Sequence, residues 1–164
     1  MGYDWDWLDG NSVLPQISNS IWVNNEFAEK NPDVVTGFVT AVQKAMYFCY
    51  LNPEAAADIV MTIYPEIEVT WEGAVGAVKG NVAAMFGLTE EERAAKVSEK
   101  SLGIFDMELV QQTIDNLYAG GSIQNEYKAE DMYTNEYVKN DWDYSAVEAD
   151  ASAYEFTSAL HAGN

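Results

Sequence analysis

Apolar positions along this chain recur mostly at helical spacing. The clearest case follows Asn31-Pro32-Asp33, where a capping residue, a proline suited to the first helical position and an acid at the positive end of the dipole coincide. Val34, Val35, Phe38, Val39, Val42, Ala45, Met46 and Cys49 then fall on one stripe, predicting a long helix with that face inward. Asn52-Pro53-Glu54 repeats the start signal almost without a loop. The second helix carries Ala55, Ala56, Ile59, Val60 and Ile63, and Pro65 ends it. Thr70 caps a third, with Trp71, Ala74, Val75, Val78, Val82 and Met85 on one face and a stop near Gly87. Gly73, Gly76 and Gly80 weaken it by up to about 1 kcal/mol each relative to alanine; their spacing predicts close approach of a neighbouring helix. Thr89 with Glu92 forms a capping-box pattern for a short charged helix. Asp106 caps another, in which Met107, Val110, Ile114 and Leu117 face inward and Gly120-Gly121 ends the run. Lys128 to Tyr133 is long enough for one or two turns.

Two stretches read as extended. From Tyr3 to Asp9, aromatics alternate with acids, the period-two signature of a strand. After the break at Gly10-Asn11-Ser12, residues 16–24 read as a second strand with a polar middle. No linker divides the chain, so residues 1–140 are expected to form one body. Residues 141–164 form an acidic tail in which Val147, Ala151, Tyr154 and Leu160 make a weak helical stripe.

Charge narrows the partners. Twenty-seven acidic residues face eight basic ones, a formal net charge of −19. Such a surface repels phosphate backbones and anionic headgroups, which disfavours nucleic acid and peripheral membrane binding. Cys49 is the single cysteine, so no intrachain disulfide or cysteine-based zinc site can form; within its apolar stripe it reads as a small core side chain. The opening Met1-Gly2-Tyr3-Asp4 is no signal peptide, and no apolar run is expected to reach membrane-spanning length.

Candidate chemistry is sparse. His161 is the lone histidine, which excludes a two-histidine metal motif. Neither a phosphate-cradling loop nor a dinucleotide fingerprint is present. Two calcium-like runs break pattern: Asp4-x-Asp6-x-x-Asp9-Gly10 has Pro15 at its twelfth position, and Asp141-x-Asp143-x-Ser145 has Ala146 where glycine belongs. Carboxylates are so abundant that no acid–base pair stands out. Neither a catalytic group, a metal nor a cofactor is therefore assigned. The aromatic residues Trp5, Trp7 and Trp22 lie near Asp6, Ser18, Asn19 and Ser20. Rings with a few polar groups suit the wall of a small-molecule cleft, and equally suit ordinary strand packing.

The run from Ile21 to Val35, Ile-Trp-Val-Asn-Asn-Glu-Phe-Ala-Glu-Lys-Asn-Pro-Asp-Val-Val, resembles the nitrate/sulfonate/bicarbonate and thiamine-pyrimidine type of ABC-transporter substrate-binding proteins. Asn52-Pro53-Glu54-Ala55-Ala56-Ala57-Asp58-Ile59, Gly121-Ser122-Ile123 and the Tyr133–Tyr137 run follow in the family's order. The resemblance spans roughly residues 15 to 139. It implies an α/β fold, type II periplasmic binding protein-like, of which this chain would be a mostly α-helical C-terminal portion with a few short strands. It also implies a small organic or oxyanion ligand, an ABC permease as partner, and an extracytoplasmic setting. The expected chain is non-catalytic; the thiamine-pyrimidine synthase branch needs histidine and cysteine chemistry that His161 and Cys49 poorly supply. An acidic helical interaction module is the alternative. Because helices of this type cover a sheet that lies largely upstream in the family, their stripes should stay exposed and drive homodimerisation.

Overall fold

The computed structural model describes residue 17 and residues 19–157. Eight helices form among them: α1 Asn25–Lys30, α2 Pro32–Leu51, α3 Pro53–Ile63, α4 Trp71–Phe86, α5 Glu90–Ser98, α6 Met107–Ala119, α7 Ala129–Met132 and α8 Tyr144–Ser152. No strand occurs among the described residues. The strand expected over 16–24 is therefore corrected: its polar middle finds no ladder partner, and the chain enters α1, whose Phe27 N–H is capped by Asn24 Oδ1 at 3.1 Å. The strand expected over 3–9 lies outside the described residues.

The caps sit where the local chemistry puts them. Asn52 Oδ1 accepts from Ala55 N at 2.9 Å, Thr70 Oγ1 from Gly73 N at 3.1 Å, and Asp106 Oδ1 from Glu108 N and Leu109 N. Thr89 and Glu92 close a reciprocal capping box. Asn31 makes no side-chain cap to α2; its amide donates back to Phe27 O.

The chain divides into two compact units. One takes Ile104–Glu136 together with described residues up to Ser20. Its core is Val110, Ile114 and Ala129, with Ile17, Phe105, Met107, Ile123 and Tyr133 against it. Asn135 braces it by accepting from Phe105 N at 2.8 Å and donating to Phe105 O at 2.9 Å.

The other takes Ile21–Gly103 and the segment from Tyr137 onward. Here α2 packs on α3, α4 and α8. One core joins Tyr47, Val82, Phe86, Leu102 and Val147; a second joins Ala57, Met61, Ala74 and Val75. The inward face of α2 follows the predicted stripe only in part, with Val35 buried and Met46 and Cys49 packed against the core. Val35, Gln43 and Tyr47 are buried, while Val34 and Phe38 are exposed, Phe38 by 59%. Burial follows where the neighbours stand, and the polar Gln43 is drawn inside by partners at Leu102 and Asn140. On α3 the buried set is Ala55, Ala56, Ala57, Asp58 and Met61, leaving Val60 and Ile63 outside. Gly76 and Gly80 face open space, so the close approach expected there is absent; only Gly73 is tight, an added Cβ meeting Val69 Cγ2 at 3.0 Å. Contrary to the sequence expectation, α2 is long and apolar enough to cross a membrane by length and composition alone.

Candidate functional site

The unit containing α2, α5 and α8 carries an open cavity of about 430 Å3. Tyr47 from α2, Val97 and Ser98 from the end of α5, Lys100 just beyond, and Trp142, Asp143, Tyr144, Ser145 and Glu148 around the start of α8 line it. Asp143 fixes the beginning of α8, accepting from Ser145 N at 3.0 Å and Ser145 Oγ at 2.7 Å. The Ser145 hydroxyl, with the backbone amides behind it, holds the Asp143 carboxyl below the usual carboxylate range. That cap places Trp142 and Tyr144 on either side of Asp143, and their rings stack with centroids 3.7 Å apart and planes 8° from parallel. Tyr47 meets both rings edge-on, at 5.8 Å and 5.1 Å.

Hydrogen bonds set this aromatic group firmly. Tyr144 OH donates to Asn140 Oδ1 at 3.0 Å, and Gln43 Nε2 donates to the same oxygen at 3.1 Å. Gln43 and Asn140 both donate to Leu102 O. Tyr47 OH donates to Glu148 Oε1 at 2.8 Å. Burial pushes the Tyr47 phenol well above its ordinary range, and the Glu148 carboxylate pushes it further. It therefore stays protonated and acts as a donor, not as a base. Two buried polar atoms in this neighbourhood, Gln43 Oε1 and Trp142 Nε1, make no hydrogen bond among the described residues.

Two ammonium groups sit on the stack. Lys44 Nζ lies 5.9 Å from the Trp142 ring centroid and Lys100 Nζ 5.7 Å from that of Tyr144. Lys100 reaches its ring from an unusual backbone position. After α5, Lys100 N bonds Val97 O at 3.1 Å and Ser101 N bonds Lys96 O at 2.9 Å, the paired closure of a Schellman turn. The residue at its left-handed position is normally glycine; here it is Lys100, with φ of 53°. Among the described residues it is the one non-glycine with positive φ.

Other chemistry lies apart from this cavity. In the unit of α6 and α7, a cavity of about 640 Å3 is lined by Gln111, Asp115, Tyr118, Glu126, Tyr127 and Lys128. Gln111 is engaged with Asp115 Oδ1, Tyr127 O and Ala129 N. Asp58, fully buried on α3, accepts on Oδ2 from Tyr154 OH, Thr157 N and Thr157 Oγ1 at 2.8 to 3.1 Å. Its role is to fasten the segment after α8. Cys49 is half-buried, and burial pushes its thiol up, away from the reactive thiolate. No cluster of three histidine, cysteine or acidic side chains able to hold a metal occurs among the described residues.

Of the residues singled out in the sequence, Trp5, Asp6, Trp7, Ser18 and His161 lie outside the described residues. Asn19 is exposed, Ser20 half-buried, and Trp22 is 82% exposed; none lines either cavity. In the second calcium-like run, Asp143 is a helix cap. The cavity residues went unnoticed because they come from three distant segments. The available signal was the pair Trp142 and Tyr144, two large rings in an otherwise acidic tail.

Residues 11–56 match a family model described as NMT1/THI5 like. The match covers the segment leading to α1, then α1, α2 and the first turn of α3, and supports the family resemblance over that stretch. No curated protein and no solved structure matches the chain.

Proposed function

We propose that this chain is a solute-binding component of an ABC importer, presenting a small ligand to a membrane permease outside the cytoplasm. The family-model match over residues 11–56 carries this reading. The cavity at Tyr47, Trp142 and Tyr144 adds the kind of wall such a role needs, with aromatic surface and a few oriented polar groups. Its groups suit recognition: a protonated phenol, an ammonium and carboxylates, with no activated nucleophile beside them. On this reading the chain performs no catalysis and binds neither metal nor nucleic acid.

The test is a thermal-shift and calorimetric screen of the whole chain against small sulfonates, oxyanions, pyrimidines and amines. A ligand at a hundredfold excess over its Kd should add about 2.7 kcal/mol of apparent stability. A flat response across the panel would count against solute binding.

Exposed apolar side chains favour a second reading, an acidic helical module that associates through protein contacts. Trp22, Phe27, Val34 and Phe38 all stand in solvent on the segment before α1 and on α1 and α2. The partner on this reading is a second copy of the chain. Equilibrium sedimentation should then show a dimer at tens of micromolar, weakened by Trp22→Ser and Phe38→Ser. A monomer at all concentrations would exclude it.

A further inference from the structure

The cavity's most distinctive property is that its aromatic surface already holds cations. Trp142 and Tyr144 each spend one face on the other, at 3.7 Å. The two faces that remain carry Lys44 and Lys100. Of these lysines only Lys100 lines the cavity, together with the Tyr144 ring it covers. Lys100 is lightly held. It is exposed, and the ion pairs among the described residues, Lys30 with Glu26 and Arg93 with Glu90, do not include it. The carboxyl groups sharing the cavity are Asp143 and Glu148. Glu148 uses Oε1 for Tyr47, and no hydrogen bond to its Oε2 occurs among the described residues. Asp143 and Glu148 line the cavity with Lys100, and Lys44 stands nearby over Trp142 and acts on Asp143; around this near-balanced group the chain's formal charge of −19 sets a field that gathers cations.

We propose that the cavity takes a small organic cation, an amine or quaternary ammonium, on the Tyr144 face, and that Lys100 is a tethered ammonium which the ligand displaces. The inference rests on the solute-binding reading above and names the ligand class for it. The incoming cation gains the ring face and the Glu148 and Asp143 carboxylates. Lys100 gives up a single exposed cation–π contact and returns to water. Its ammonium already lies 5.7 Å from the ring centroid, which makes the lysine a built-in competitor.

The experiment is calorimetric titration of the full chain with tetramethylammonium chloride and, in parallel, sodium benzoate at matched ionic strength. Wild type, Lys100→Gln and Glu148→Gln are compared, with thermal melts confirming that each variant folds. Lys100→Gln removes the competitor from an exposed position, and Gln at 148 can still accept from Tyr47. The expected result is that wild type binds tetramethylammonium, Lys100→Gln binds it about 2- to 5-fold tighter, and Glu148→Gln binds it more weakly. Unchanged or weaker binding by Lys100→Gln overturns the displacement. Benzoate bound by wild type and lost in Lys100→Gln, with no cation bound, overturns the ligand class and leaves solute binding standing. Silence towards both probes and towards the whole solute panel removes both.

Discussion

Gln43 Nε2 donates to the Leu102 carbonyl at 2.7 Å, joining the middle of α2 to the chain 59 residues later. Asn140 donates to the same oxygen, and its own Oδ1 takes both Gln43 and the Tyr144 hydroxyl. This buried polar knot sets the height of Tyr144 in the cavity. Gln43→Leu would keep the bulk and lose both donated bonds, while Asn140 continues to serve Leu102 and Tyr144. The expected cost is about 1–3 kcal/mol, read as a lowered urea midpoint.

Thr89→Ala removes the hydroxyl that accepts from Glu92 N at 3.2 Å and should destabilise α5 by about 1 kcal/mol. The reciprocal half of the box is pH-dependent. The Thr89 backbone N–H donates to Glu92 Oε2 at 2.9 Å and holds the Glu92 carboxyl below its usual range. A carboxyl with a depressed folded-state pKa contributes stability that is complete above the ordinary glutamate value, about 4.3, and fades as pH falls through the lower folded value. Glu92→Gln should flatten that part of the acid unfolding curve, measured by circular dichroism against pH.

Gly87 is held at φ of 131°, and an added Cβ would stand 2.5 Å from Glu92 Cβ. Gly87→Ala therefore meets both backbone strain and the capping glutamate. A loss of at least about 1 kcal/mol is expected, with the α4–α5 junction displaced. An unchanged melting temperature would show that Glu92 yields freely.

Asp58→Ala strands two hydroxyls and the Thr157 amide that now converge on one buried oxygen. The cost should be roughly 3 kcal/mol, with earlier protease cleavage after α8. Asp58→Asn keeps an acceptor and should lose less.

Lys100→Gly relieves the left-handed position by up to about 1 kcal/mol and forfeits the contact with Tyr144, of about 0.5–1 kcal/mol. The two nearly cancel, so the melting temperature should stay within a few degrees of wild type.

The helices were legible wherever their signals are local. The Thr89–Glu92 box, the Asp106 cap and the Asn52-Pro53 start each act within a few residues, and each forms as read. Facing was less legible. Val34 and Phe38 shared a stripe with Val39 and Val42, yet α2 turns Gln43 and Tyr47 inward because Leu102, Asn140 and Glu148 of α8 supply their partners from 59 to 101 residues away. The helix Asn25–Lys30 was missed because its cap, Asn24, closed a stretch read as extended. The cavity shares this difficulty: Tyr47, Lys100 and Tyr144 carry no mutual spacing, and only packing brings them together.

The fastening of Asp58 to Thr157 spans 99 residues, with the unit of Ile104–Glu136 made in between. During synthesis, the Asp58 carboxyl therefore keeps its water partners until Thr157 has been made. Loop closure over such a separation is slow. The unit around α2 is accordingly expected to mature late, and a chaperone that shelters α2 and α3 before release should raise its folding yield.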